Sequence, residues 1–242
     1  QSLLLQVVPS LAAEEAGSRC IVTAGRGDGV FLTDLRTDDA RVAVLRQLGL
    51  RAVTLNRPDV DSPFPAVCMD DRPGVREAPD TLIRLGHRRI AYVAGPLDFL
   101  HSRHRRDSWA EAMREAGLDT SLEIEADFTA SGGASATTRL LDLAEPPTAI
   151  VYANDVMAIA GLGIAHTRGL QVPDELSIVG FDGTDIASYV HSSLTTVATD
   201  PFGWGQLAAR TLLRVTSTDE HVDDIELPPA RLVVRGSTGP VA

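Results

Sequence analysis

The sequence contains no lysine; all 22 of its basic residues are arginine. Against them stand 33 acidic residues, so the formal net charge is −11. A surface of that sign repels phosphate backbones and anionic lipid, which excludes non-specific nucleic-acid coating and electrostatic membrane binding by this stretch. No apolar run approaches the ~20 residues that span a bilayer. The opening, Gln1 to Leu11, has neither a basic n-region nor a small-residue cleavage site, so no signal peptide is read there. Cysteine is nearly absent: Cys20 and Cys68 make neither a disulfide framework nor a metal quartet. Both stand in apolar, strand-like surroundings and are expected to be buried small hydrophobes in a reducing, cytoplasmic compartment. Among the few aromatics, Trp109 and Trp204 stand at helical core spacing and are read as packing residues.

Catalytic signatures are missing as well. No Gly-x-Ser-x-Gly elbow occurs, and Gly25-Arg-Gly-Asp-Gly29 lacks the Gly-Lys-Ser/Thr of a phosphate loop. The six histidines are scattered; His101 and His104 are spaced i, i+3 with no cysteine or second pair beside them. The chain is read as a non-enzyme, with no cofactor and no metal. The loop Glu220-His-Val-Asp-Asp224 is read as a solvated acidic turn.

What is present is an alternation of apolar runs and helix-period segments, in a chain of 242 residues that suits two lobes of about 100–150 residues. Strands are predicted at 19–24, 29–33, 52–55, 66–69, 89–94, 149–153 and 177–181. Helices are predicted at 3–15, 41–48, 73–85, 106–115, 134–143, 156–168 and 202–215. Near-continuous apolar strands separated by helices mean parallel sheets covered on both faces, a doubly wound α/β architecture. One place conflicts with this. Strands at 19–24 and 29–33 are separated by four residues, whereas parallel neighbours need a crossover of a dozen or more. Either the two are antiparallel, or an N-terminal segment and a crossover near Gly25–Gly27 are missing from the sequence.

Ligands of such folds bind outside the carboxyl ends of the strands. The polar residues there are Asn56-Arg57, Asp70-Asp71, Asn154-Asp155 and Asp182. Carboxylates, amides and arginines in one place suit a polyhydroxylated ligand, because an Asp accepts from two adjacent hydroxyls and an Arg donates a rigid fork. Each has a plainer reading: Asp182 as a turn residue capping the next helix, Asn154 as an N-cap, Arg57 as an ion-pair partner, Asp70 as a turn residue. Phe99, Leu100 and His101 are read either as an apolar wall or as a surface loop.

Five segments carry a family resemblance: Leu85-Gly-His-Arg-Arg-Ile-Ala-Tyr-Val-Ala-Gly-Pro96, Pro147-Thr-Ala-Ile-Val-Tyr-Ala-Asn-Asp-Val-Met-Ala158, Gly169-Leu-Gln-Val-Pro-Asp-Glu-Leu-Ser-Ile-Val-Gly-Phe-Asp182, Ser193-Leu-Thr-Thr-Val197, and Leu227-Pro-Pro-Ala-Arg-Leu-Val-Val-Arg-Gly-Ser-Thr238. In this order and combination the sequence resembles LacI/GalR-type transcriptional regulators over essentially its whole length. The resemblance implies two Rossmann-like lobes joined by three crossings, a periplasmic binding protein-like fold. It implies an N-terminal lobe of 1–96 plus 200–215 and a C-terminal lobe of 97–199 plus 216–242, with effector in the inter-lobe cleft. It further implies a homodimer and a helix-turn-helix headpiece, absent from this sequence, that engages operator DNA. The apolar faces of the helices at 3–15 and 202–215 are read equally as dimer surface or as core. Asp182 and Arg105 match family positions that commonly contact ligand, although Ser108 departs from the family's Gly three residues after Arg105. Asn154 matches a polar, cleft-facing position. Asn56-Arg57 stands where sugar-binding relatives often have Asp-Arg, and Thr199 stands at a hinge. The implied function is a repressor responding to a small polar effector, a sugar or similar polyol or nucleoside. The alternatives are a secreted sugar-binding protein of a transport system and an α/β enzyme acting on a sugar or nucleoside.

Overall fold

The computed structural model describes residues 11–25 and 27–241. In chain order the elements are α1 (Leu11–Thr23), β1 (Gly29–Leu32), α2 (Ala40–Gln47), β2 (Arg51–Leu55), β3 (Ala66–Met69), α3 (Arg72–Arg84), β4 (Ile90–Ala94), α4 (Leu100–Glu115) and β5 (Glu123–Glu125). They continue with α5 (Ala130–Leu141), β6 (Ala149–Tyr152), α6 (Asp155–Thr167), β7 (Ser177–Asp182), a 3-10 turn (Asp185–Ser188), β8 (Thr195–Ala198), α7 (Pro201–Ser217), β9 (Ile225–Leu227) and β10 (Arg231–Val233). They form two compact units: one of residues up to Met69 with Pro201–Leu227, the other of Asp70–Asp200 with residues from Pro228 onward.

The first unit holds a parallel sheet in the order β1-β2-β3-β9. α7 lies on this sheet: Ala208 is buried with Val53 and Val67, and Trp204, Leu207, Leu212 and Val215 pack around them. Trp204 joins the core as a packing residue and donates its indole N–H to the Val67 carbonyl (2.8 Å), which satisfies the polar end of a half-buried ring. Arg41 on α2 binds the buried carboxylate of Asp39 (2.7 Å) and reaches Glu14 on α1 (2.8 Å).

The segment expected as a strand at 19–24 is instead the last part of α1 and the residues after it. A short Cys-Ile-Val run reads equally as buried strand or helix, and periodicity does not separate the two. Correcting it removes the topological conflict, since β1 connects to its parallel neighbour β2 through α2. Cys20 lies exposed on this helix, contrary to expectation, while Cys68 on β3 is buried. Of the helix expected at 3–15, residues 3–10 lie outside the described residues.

The second unit holds six strands in the order β10-β8-β7-β6-β4-β5. All pairs are parallel except β10 with β8. Every residue of β4 and β6 is buried, as is β7 up to Phe181. That double burial is why these strands read as unbroken apolar runs. Trp109 on α4 is buried and stacks on Tyr92 of β4, ring centroids 5.3 Å apart. The C-terminal segment is tied in by buried His87, which bonds the Thr148 hydroxyl (2.9 Å) and the Gly239 carbonyl (3.0 Å).

The boundaries of the units correct the expected lobes. β4 and α3 belong to the second unit, so the first crossing falls at Met69–Asp70 rather than near Pro96. The third falls at Leu227–Pro228 rather than near Thr216, because β9 pairs in parallel with β3 and returns the chain to the first sheet. The second falls at Asp200–Pro201.

Two helical glycines separate packing from propensity. A Cβ on Gly133 of α5 would stand 2.5 Å from the Met157 Cα of α6, whereas a Cβ on Gly163 of α6 would meet nothing within 4 Å. Gly163→Ala is expected to raise stability by about 1 kcal/mol from helix propensity. Gly133→Ala is expected to lower it by about 1–3 kcal/mol from overpacking between helices. Urea denaturation midpoints of the two variants check both signs.

Candidate functional site

In the second unit the strands β4, β6 and β7 end on the same side of the sheet, and the residues just past their ends converge. α4 starts at Leu100, six residues earlier than its sequence pattern indicates, with Phe99 as its N-cap residue. This places His101 and Arg105 on its first two turns. Phe99, Leu100 and His101 are thus the opening of a helix and not a loop.

Arg105 is held from three sides. Its Nε donates to Asp71 Oδ2 (2.6 Å), its Nη1 donates to the Ala153 carbonyl at the end of β6 (3.2 Å), and its guanidinium carbon lies 3.5 Å from the centre of the Phe181 ring on β7. Only 12% of the Arg105 side chain and 10% of the Asp71 side chain are exposed, so this is a desolvated ion pair with a cation–π contact over it.

Asp182 closes β7 with φ at 117°, followed by Gly183 at 74°. Its carbonyl accepts from the Thr199 amide (3.2 Å) and hydroxyl (3.0 Å). Its carboxylate accepts from the Asp155 backbone N–H at the start of α6. Burial pushes the Asp182 carboxyl up to about 6; the charge of Arg105 works against that shift and the charge of Asp155 adds to it.

Asp155 is fully buried. Its Oδ1 accepts from the Thr196 hydroxyl (2.6 Å), and its Oδ2 accepts from the Thr184 amide and hydroxyl (both 2.8 Å). The carboxylate occupies the space beside Gly180, where a Cβ would come within 2.3 Å of it.

Asn154 is engaged within the protein through both its oxygen and its nitrogen. Its Oδ1 caps α6 through the Met157 amide (2.9 Å) and its Nδ2 donates to the Phe128 carbonyl (2.9 Å). Phe128 has φ at 64°, and its ring fills the space above Gly95. Phe99, His101 and Phe128 form a ladder of three stacked rings, with centroids 5.4 and 5.7 Å apart. Burial, with the Arg105 charge nearby, pushes the His101 imidazole down to about 4, so the middle ring is neutral at neutral pH.

The second unit thus gathers Arg105, Asp182, Asn154, Phe99 and Thr199. Asp70 lies next to Asp71 but gives its carboxylate to Arg72 (2.8 Å), which holds it below the usual carboxylate range. Asn56 and Arg57 belong to the first unit. Asn56, at φ 71°, accepts the Met69 amide (2.9 Å), and Arg57 pairs with Asp224 (2.8 Å) and Glu226 (2.6 Å). Asp224 also accepts the Ala66 amide (2.8 Å), so the supposed solvated acidic turn is partly a structural tie. Sequence reasoning missed Phe128, which follows a three-residue strand with no apolar run to announce it. It named Asp71 and Asp155 only as neighbours of other candidates.

A family model described as a periplasmic binding protein-like domain matches residues 80–238. The HTH-type transcriptional repressor CytR of Escherichia coli (strain K12) is 33% identical over 214 residues, covering 87% of this chain and 62% of the relative. The chain therefore spans less than two thirds of that repressor's length. A solved complex of the transcriptional regulator CelR with cellobiose superposes with a TM-score of 0.84 at 32% identity, covering 94% of this chain and 71% of that one. The lac repressor dimer bound to operator and an anti-inducer gives 0.85 at 27% identity, covering 96% and 80%. With the doubly wound units and ordered motifs, these matches establish that the chain belongs to the LacI family of transcriptional regulators, its residues 80–238 forming a periplasmic binding protein-like domain.

Proposed function

We propose that this chain is the effector-binding core of a cytoplasmic transcriptional repressor, that its effector is a sugar, and that binding controls operator recognition by a helix-turn-helix headpiece. The observation that carries the reading is the Asp182 carboxylate. It is fixed at a strand end and half-buried, and among the described residues it takes one donor, the Asp155 N–H, although an ionised carboxylate has about four acceptor sites. Hydroxyls of a polyol supply the missing donors, and the ring ladder of Phe99, His101 and Phe128 offers an apolar surface to a sugar face. The CelR relative solved with cellobiose supports the ligand class. Switching requires that the effector bind the operator-engaged and released states unequally.

The repressor acts as a homodimer, as the lac repressor solved on its operator does. Exposed apolar side chains support a self-association surface on the second unit: Val156 at the start of α6, with Ile186 and Tyr189 (85% exposed) on the turn bonded to it through Thr184 and Asp155. On α7 of the first unit, Phe202 is 81% exposed.

A thermal-shift panel of sugars and nucleosides tests the ligand class. A ligand at 100 times its Kd adds about 2.7 kcal/mol, a rise of several degrees. For a responding sugar, Asp182→Asn, which keeps a side chain tolerant of positive φ, is expected to weaken binding in calorimetry by about 1.5–3 kcal/mol, the value of a hydrogen bond to a charged group. Unchanged affinity would remove Asp182 from the site. The double variant Ile186→Arg with Tyr189→Arg is expected to sediment as a monomer with an unchanged circular dichroism spectrum; an intact dimer would place the interface elsewhere.

A further inference from the structure

We infer that the arginine–carboxylate group at the strand ends of the second unit selects uncharged or cationic hydrogen-bond donors and turns anionic ligands away. The inference builds on the ligand role of Asp182 proposed above and narrows it to a chemical class.

Arg105 is the cation that acts on Asp182, and its charge and its Nε edge are used within the protein. A guanidinium captures a carboxylate or phosphate through one of two paired edges, Nε with one terminal nitrogen or the two terminal nitrogens together. Nε, on the first edge, donates to Asp71 at 2.6 Å, and Nη1 gives one of its two N–H groups to the Ala153 carbonyl at 3.2 Å. One face of the plane is covered by Phe181 at 3.5 Å. The charge is balanced by Asp71, in a pair about 90% removed from solvent. A phosphoryl or carboxylate group arriving here finds the Nε edge taken and no net positive charge.

Asp182 remains. The charged groups acting on it are Arg105 from α4 and Asp155 from α6, and Arg105 is already balanced by Asp71 at the start of α3. His101, beside Arg105, is neutral at neutral pH. The local sum is negative, and the Asp182 carboxylate offers acceptors only. Hydroxyl or ammonium donors complete it, whereas another anion is repelled in a partly desolvated place where Coulomb repulsion is weakly screened.

A pH dependence follows. The acceptor form of Asp182 is the ionised one, so affinity for a neutral donor ligand is full above about pH 6 and falls as pH drops through that value. Asp182→Asn removes that dependence.

The experiment has two arms. In the first, calorimetry compares glucose, glucosamine, glucuronate and glucose 6-phosphate, and cellobiose with its aldonate. The neutral and amino compounds are expected to bind on the order of tenfold or more tightly than their anionic counterparts, and Asp182→Asn narrows the gap. An anionic member that matches or exceeds its neutral parent overturns the inference. The second arm needs no sugar. Inorganic phosphate at low millimolar concentration, against chloride of equal ionic strength, is expected to give the wild-type chain no phosphate-specific thermal shift. Asp71→Ala, which removes the acceptor and the balancing charge from the Nε edge, is expected to gain one. A phosphate-specific shift in the wild type that disappears in Arg105→Gln overturns the inference. Silence of every sugar in the first arm counts against the sugar-effector proposal alone, and the phosphate arm then decides this one.

Discussion

Arg105 joins the start of α3, the second turn of α4 and the ends of β6 and β7 through one planar group. The cost of that junction is visible at Asp71. It is the N-cap residue of α3, yet its side chain makes no capping bond to its own helix. A side-chain cap is worth about 1 kcal/mol. Leaving a buried guanidinium unpaired costs about 3–5 kcal/mol, so the ion pair outweighs the cap and the carboxylate turns to Arg105. Pro73 in the first turn of α3 lightens the loss, since proline has no amide N–H to satisfy. Phe181 is held under the guanidinium by the same constraint, and Asp182, the next residue, is set in place by it.

Asp155 supplies the second half of the constraint. Its carboxylate binds the Thr184 turn and Thr196 on β8, while its amide faces Asp182. Three donors on a fully buried carboxylate satisfy it without a cation. Gly180 is required for this, because any side chain on β7 at that point would occupy the volume of the carboxylate. The positive φ values of Asp182 and Gly183 are therefore fixed by contacts on both sides. A backbone conformation that L-residues rarely adopt persists where its surroundings determine it so fully.

Much of this architecture was legible in the sequence, and the failures have physical causes. Fully buried parallel strands such as Ile90–Ala94 and Ala149–Tyr152 announce themselves as apolar runs, and Gly117 and Gly169 mark helix ends through their positive φ. The run Cys20-Ile-Val carries the same signal inside a helix, because a short apolar stretch does not fix the period. β5 is an edge strand of sequence Glu-Ile-Glu, so it has no apolar run, and Phe128 behind it went unseen. The start of α4 was hidden by the polar, arginine-rich segment His101–Arg106, whose helical state is set by tertiary contacts of Leu100, Ser102 and Arg105 more than by an amphipathic pattern. The lobe boundaries were misplaced because strand pairing decides them: β9 is three residues long, yet by pairing with β3 it assigns the whole return segment to the first unit.

The polar residues past the strand ends separate by a criterion that no spacing rule contains, namely how many of their hydrogen-bonding sites the protein itself fills. Asn154 uses both its oxygen and its nitrogen internally, Asn56 gives its oxygen to Met69, Arg57 is shared by two carboxylates, and Asp70 is taken by Arg72. These groups shape the loops that carry them. Asp182 differs because it stands half-buried at a strand end and the described residues give its carboxylate one donor, which leaves acceptor sites open. An ionised carboxylate with open acceptor sites at a strand end is a group that an incoming donor molecule can complete. The capacity to recognise a ligand therefore lies less in the number of polar residues at the strand ends than in the one whose partners the chain withholds.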